Sequence, residues 1–274
     1  MTTSPDVTVR GPLARPLHDA AVLLDRQLRH VVRYPELSVL VMGVPVVLLL
    51  LFVLVFGGSL ATGIAPGGDR GDYAAFVTPG MMAIAAITIA QGTSTEVAMD
   101  ASGGVLARLR TLSVRPGSVL AGHALGATLQ MLVAMTLIVL VAVALGFRPG
   151  AGPLGWLGVL ALTTALSLAV AWLAVAAGLA ARSVEVASNY ALPLMLLPFL
   201  GSGFVPVDSL PGWLEWFARH QPLTPVVDVL RNLLAGTPAD RGSVLLATGW
   251  CLVLVAVGIW SAGRLFTRPR SAPH

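Results

Sequence analysis

Six stretches of this chain contain no Arg, Asp or Glu and are each long enough to cross a bilayer, which leaves few folds open to it. They cover residues 37–68, 73–95, 116–147, 149–181, 186–207 and 242–263. A spanning helix needs about 20 apolar residues, because roughly 30 Å of hydrocarbon must be crossed at 1.5 Å of rise per residue. All six pass, and helices are expected near 38–58, 78–98, 118–146, 156–181, 186–204 and 243–263. The third and fourth stretches are separated only by Arg148, but "GFRPGAGPLGW" is so rich in Gly and Pro that the chain must turn there. The expected fold class is an all-α polytopic membrane protein with six transmembrane helices. Composition agrees: 56% of the 274 residues are hydrophobic and 11% charged, where a soluble domain has about a quarter charged.

Every basic residue apart from histidine is arginine, and their distribution sets an orientation. Loops on the cytoplasmic side are enriched in positive charge. With the amino end inside, the cytoplasmic segments hold twelve arginines, among them Arg10, Arg15, Arg26, Arg29, Arg33, Arg108, Arg110 and Arg115, and the opposite side holds five. Both termini are then cytoplasmic. The first 36 residues are too long and too charged for the leading part of a cleaved signal peptide, so they are expected to be retained. Within them Leu17, Ala20, Ala21, Leu24, Leu28 and Val31 recur at helical spacing opposite Asp19, Arg26, Arg29 and Arg33. That pattern describes an amphipathic helix lying along the cytoplasmic surface. The division expected is 1–36 as a cytoplasmic leader, 37–264 as the six-span domain and 265–274 as a short cytoplasmic tail.

The spans hold no charged group at mid-depth. Such groups cost about 2.5–3.5 kcal/mol or more there, and proteins that move protons or sodium keep a few and use them. Glu96, Asp100, Arg182 and Glu185 all fall at predicted cytoplasmic ends, and His123 lies near an interface, so an ion-coupled carrier is disfavoured. Gly201-Ser202-Gly203 has the setting of an intramembrane serine nucleophile, but the last span carries no histidine to act as its base. The five histidines are scattered over both faces, which argues against a metal site. A phosphate-binding loop ending in Gly-Lys-Ser/Thr cannot exist without lysine, so any ATP hydrolysis belongs to another polypeptide.

Between the second and third spans lies "SGGVLARLRTLSVRPGS", residues 102–118, short, basic and half apolar. Val105, Leu106, Leu109 and Leu112 line one side of a helix, with Arg108 largely opposite. A helix this short is marginal alone and needs a surface to lie on. Two surfaces suit it: lipid headgroups, or a groove on a cytoplasmic motor protein.

On these residues the chain resembles the permease subunits of type-2 ABC transporters, in the daunorubicin-resistance branch of antibiotic exporters. "DYAAFVTPGMMA" (72–83) is similar to that branch's entry to its second span. "GGVLARLRTLSVRPGSVLAGHALG" (103–126) resembles its coupling-helix loop, and "FLGSGFVPVDSLPGWLEWFARHQPLTPVVDVLRNLLAG" (199–236) resembles its most recognisable run. The resemblance implies a bacterial plasma-membrane exporter permease, not itself an enzyme, for hydrophobic drugs, antibiotics or lipids. It implies two copies of an ABC ATPase subunit that bind ATP and Mg, a second permease copy or a paralogous permease, surrounding membrane lipid and no nucleic acid. No cofactor is expected on this chain. It further implies that Val105, Leu106, Arg108, Leu109, Arg110 and Leu112 form the coupling helix at the ATPase interface. The rival reading is a membrane-embedded enzyme or structural membrane subunit without an ATPase.

The loop 208–241 is too long for a tight turn and too apolar for a solvated one. Trp213, Trp216 and Phe217 suit the headgroup level. Thr224-Pro225 offers a cap and first position for a helix ending at Ala235 before Gly236, on which Asp228 and Arg231 stand three apart. This reads as an extracellular helical hairpin, and the resemblance implies that it helps gate the outer exit, with Trp213, Trp216, Asp228 and Arg231 as gate candidates. In the fifth span Pro193, Pro198, Gly201, Gly203 and Pro206 must interrupt helical hydrogen bonding, and broken backbone at that depth survives only when buried in protein or lining a cavity. Gln91, Ser94, Asn189 and Ser202 are therefore candidates for a pathway lining. Replacing Leu109 and Leu112 with Asp is expected to abolish recovery of the ATPase subunit in a pull-down while the permease stays in the membrane; unchanged recovery would remove the coupling-helix assignment.

Overall fold

The computed structural model describes residues 35–64, 68–103 and 116–267. The amphipathic leader and all six coupling-helix candidates, Val105, Leu106, Arg108, Leu109, Arg110 and Leu112, lie outside those residues.

Among the described residues the chain is helical, without strands. Helix α1 (Pro35–Leu51) continues without a gap into a π-helical turn, Phe52–Phe56, and then α2 (Gly57–Ile64). Pro45 sits inside α1, where it withholds one amide from the helical ladder. The remaining elements are α3 (Arg70–Ser102), α4 (Pro116–Ala144), α5 (Pro153–Ala180), α6 (Val184–Asn189), α7 (Leu192–Leu196), a 3-10 turn (Val207–Ser209), α8 (Gly212–His220), α9 (Leu223–Ala235) and α10 (Arg241–Thr267). Five helical runs are long and apolar enough to cross a membrane: Met42–Ala61, Arg70–Ser102, Val119–Ala144, Pro153–Ala180 and Arg241–Thr267.

The fifth expected span, 186–204, is not a continuous helix. It runs as α6 and α7, of six and five residues, followed by successive turns to residue 204. Its prolines lack the amide that each helical turn needs, so the ladder fails where the sequence says it must.

Helix α3 is the axis of the bundle. At 33 residues it is about 50 Å long, and 83% of its most apolar stretch is buried, against 17% for α10. Small side chains make this possible: Ala74, Ala83, Ala85, Ala86 and Ala90 are buried along it, and α1, α4, α5, α9 and the broken segment all pack on it. Its start is fixed by a capping box. Asp69 Oδ1 accepts the amides of Gly71 and Asp72 at 2.7 and 3.1 Å, and Asp72 Oδ2 accepts the amide of Asp69 at 2.9 Å.

Glycines permit backbone to touch backbone at two places that matter. A Cβ on Gly80 of α3 would come within 2.6 Å of the Gly203 carbonyl oxygen, and one on Gly178 of α5 would collide with the Ser94 carbonyl oxygen. The first contact seats the broken segment on α3. Helix α9 ends on Gly236 in the left-handed region at φ 73°, with Thr237 N donating back to the Asn232 carbonyl at 2.9 Å. It begins at Leu223, one residue before the expected cap Thr224. The Thr224 hydroxyl accepts from Gln221 Nε2 at 3.1 Å instead.

Gly80→Leu is expected to lower stability by about 1–3 kcal/mol, the usual cost of overpacking, read as a lower melting temperature in detergent. Gly92→Ala, with open space beside it, is expected to leave that temperature unchanged or raise it.

Candidate functional site

The polar chemistry inside the bundle is concentrated where the broken segment meets α3 and α9. Turns 197–204 leave carbonyls that no helix satisfies, and such groups in an apolar setting each cost several kcal/mol. Gln221, two residues before α9, and Arg231 within it supply donors, and Ser202 of the segment donates in return. Gln221 Nε2 donates to the Leu197 carbonyl at 2.9 Å. Ser202 Oγ donates to the Thr224 carbonyl at 3.4 Å. Arg231 donates through Nε and Nη2 to the Phe76 carbonyl, both at 3.2 Å, and through Nη2 to the Ser202 carbonyl at close range.

Arg231 thus joins three elements, α3, the broken segment and α9. Its Nη1 pairs with Asp228 Oδ1 at 2.8 Å, and its guanidinium lies 4.1 Å over the Phe76 ring. Burial lowers the Arg231 pKa from its ordinary value, while the Asp228 charge and hydrogen bond oppose that. Arginine suits the position because its planar fork reaches several acceptors at once, which an ammonium cannot do.

A cleft of about 380 Å³ opens beside this knot, lined among others by Phe76, Ser202, Arg219, Thr224, Asp228 and Arg231. Helix α8 lies nearby with Trp213 and Trp216 76% and 66% exposed. Trp216 stacks on His220 at 4.8 Å, and Glu215 Oε1 accepts from Arg219 Nε and Nη2 at 3.0 and 2.8 Å. On the far side of the broken segment, Phe199 and Phe204 stack at 4.4 Å, and Phe52 of the π-helical turn lies 5.2 Å from Phe204. The aromatic group ties the first span to the same turns.

The four pathway candidates part company. Gln91 is half-buried and donates to the Ser188 carbonyl at 2.6 Å, tying α3 to α6. Ser94 is fully buried at the α3–α5 crossing, and among the described residues its hydroxyl makes no hydrogen bond. Ser202 is buried in the knot. Asn189 is exposed at the end of α6. Of the four gate candidates, Asp228 and Arg231 meet in the knot, whereas Trp213 and Trp216 stand apart on α8. Sequence reasoning missed Gln221, Thr224 as an acceptor, Phe76 and the phenylalanine cluster. A glutamine set before Pro222 in an apolar loop was the one local sign.

At the opposite end of α3, His123 Nε2 of α4 lies 3.2 Å from Asp100 Oδ2 of α3. This contact ties α3 to α4 at that end. Among the described residues no three of His, Cys, Asp and Glu gather as a metal site would require.

Residues 19–235 match the family model described as ABC-2 type transporter. The daunorubicin resistance ABC transporter permease protein DrrB1 of Streptomyces coeruleorubidus is 29% identical over 226 residues, covering 81% of this chain and 78% of that one. The probable doxorubicin resistance ABC transporter permease protein DrrC of Mycobacterium tuberculosis is 28% identical over 214 residues, 76% of each chain. Nodulation protein J of Rhizobium meliloti is 32% identical over 208 residues, 74% of this chain and 78% of that one.

Arg231→Met is expected to leave the Ser202 carbonyl and the Asp228 carboxylate without the guanidinium and to cost about 1–3 kcal/mol, measured by thermal unfolding in nanodiscs. Arg231→Lys is expected to recover only part of the loss, and a wild-type melting temperature in the Met variant would contradict the assignment.

Proposed function

The chain belongs to the ABC-2 type transporter family, and from that membership we propose that it is the membrane permease of an ATP-driven exporter for hydrophobic drugs, antibiotics or lipids. The observation that carries the proposal is the match to two drug-resistance permeases over 81% and 76% of the chain. The charge-free middles of the spanning helices support it, because proteins that harness an ion gradient keep charged groups at that depth and use them.

In this reading the Ser102 end of α3 faces the cytoplasm of a bacterial cell and the Arg70 end faces outward, with both termini inside. Val105, Leu106, Arg108, Leu109, Arg110 and Leu112 dock on one ATPase subunit of a pair. ATP and Mg bind to those subunits alone. A second permease, identical or paralogous, completes the pathway, and exposed Asn189 at membrane depth faces it or the cargo. The ATPase pair closes on ATP and pushes the 104–115 hairpin. Asp100 and His123 make α3 and α4 move together at that end. Helix α3 then acts as a lever. Its displacement reaches Phe76 and Gly80, where the broken segment and α9 are attached, and the outer cleft changes shape.

The test is transport in proteoliposomes holding the chain and its ATPase subunit. Doxorubicin or another hydrophobic drug is expected to move only with ATP and Mg, and not with a hydrolysis-dead ATPase. Asn189→Leu is expected to reduce transport without reducing ATPase recovery. Transport by the permease alone, without nucleotide, would overturn the proposal.

A further inference from the structure

A second cavity lies away from the knot, on the flank of the bundle. It has a volume of about 210 Å³ and is walled by α4 from Leu132 to Leu140 and by α5 from Trp156 to Thr163, with Met82 of α3 in its floor. The floor is deep: Met82, Met135 and Thr163 are buried. The rim is open, Leu140 and Leu160 being 61% and 56% exposed, and the surface around it carries Leu137, Leu154 and Leu157, also exposed. Both walls belong to helices long enough to cross a membrane. The mouth therefore opens sideways into hydrocarbon, not into water.

The hydroxyls of the walls are already engaged. Thr136 Oγ1 donates to the Leu132 carbonyl at 2.8 Å, and Thr163 Oγ1 to the Val159 carbonyl at 2.7 Å. The floor offers no free donor for a headgroup or a hydroxylated cargo, and the Trp156 indole N–H stands at the mouth. Its size decides further, since drug-sized ligands occupy pockets of roughly 300–1,000 Å³ and this one falls short. Two methionines beside the floor can adjust to a flexible occupant. Trp156 stands in the first turn of α5, at the Gly150 end of the bundle, where an amphipathic ring marks the headgroup level. A chain entering below that ring would run down the groove toward Met82.

We propose that this groove holds a stretch of one acyl chain of a bilayer phospholipid from the leaflet at the Gly150 end, as a specific site and not as part of the general lipid annulus. It requires only that the bundle sits in a bilayer and does not depend on the ATPase partner or on drug transport.

The experiment uses the full chain in vesicles of phosphatidylethanolamine and phosphatidylglycerol, doped with a phosphatidylcholine bearing a diazirine at the middle of one acyl chain. After irradiation the labelled residues are mapped by peptide mass spectrometry. The expected result is saturable labelling of Met82, Met135 or Thr163, which annular lipid cannot touch. Thr163→Phe, which fills the groove, is expected to abolish that floor labelling while Leu252 and Val253 on the exposed face of α10 label as before. Leu160→Phe narrows the rim without entering the core and is expected to reduce it, which keeps the test open should Thr163→Phe fail to fold. Labelling confined to exposed residues such as Leu137 and Leu157 would overturn the proposal in favour of annular lipid only. Displacement of the floor label by an added hydrophobic drug would overturn it in favour of a cargo site.

Discussion

A bilayer interior supplies no water to a backbone amide or carbonyl, and the architecture of this chain follows from how residues 190–204 live with that constraint. Prolines and glycines break the helix there, and the freed carbonyls of Leu197 and Ser202 are satisfied from outside the segment, by Gln221 and Arg231. The helix that carries Arg231 must then lie against the bundle instead of floating above it. Its buried face, with Val226, Val229, Leu230 and Leu234, packs on α3, α5 and α10. The charge of Arg231 is tolerable at that position because Asp228 neutralises it and four of its donor contacts are filled.

The same attachments make α3 a mechanical element. It is long, rich in small residues and enclosed by its neighbours, so it cannot bend freely into empty space. One end is joined to α4 through Asp100 and His123, and the other holds the broken segment at Gly80 and the guanidinium at Phe76. Packed interfaces of this kind tend to shift between discrete arrangements instead of deforming continuously. In the proposed transport cycle this gives a displacement at the Ser102 end of α3 a short route to the cleft beside Arg231.

Much of this was legible in the residues because it depends on local pattern. Five uncharged apolar stretches became five continuous helices of spanning length, and the Gly and Pro run after Phe147 became a turn. The prolines that forbade a regular fifth helix did break it, and Gly236 does end α9 in the left-handed region. What could not be read depends on tertiary neighbours. Nothing near Gln221 says that its amide will meet Leu197, 24 residues away, nor does Phe76 announce that its carbonyl will receive an arginine from position 231. Ser94 looked like a pathway residue by composition, but the close approach of Gly178 closes over it. The π-helical turn that presents Phe52 to Phe204 also leaves no mark in an otherwise regular apolar run.

The central claim is that broken backbone at membrane depth is held by α9 and not by water. Amide hydrogen exchange of residues 197–206 in nanodiscs tests it most directly. Protection close to that of α3 in the native protein, falling sharply in Gln221→Leu while α3 and α5 stay protected, is the predicted result. Free exchange of 197–206 in the native protein, or protection untouched by that substitution, would contradict it.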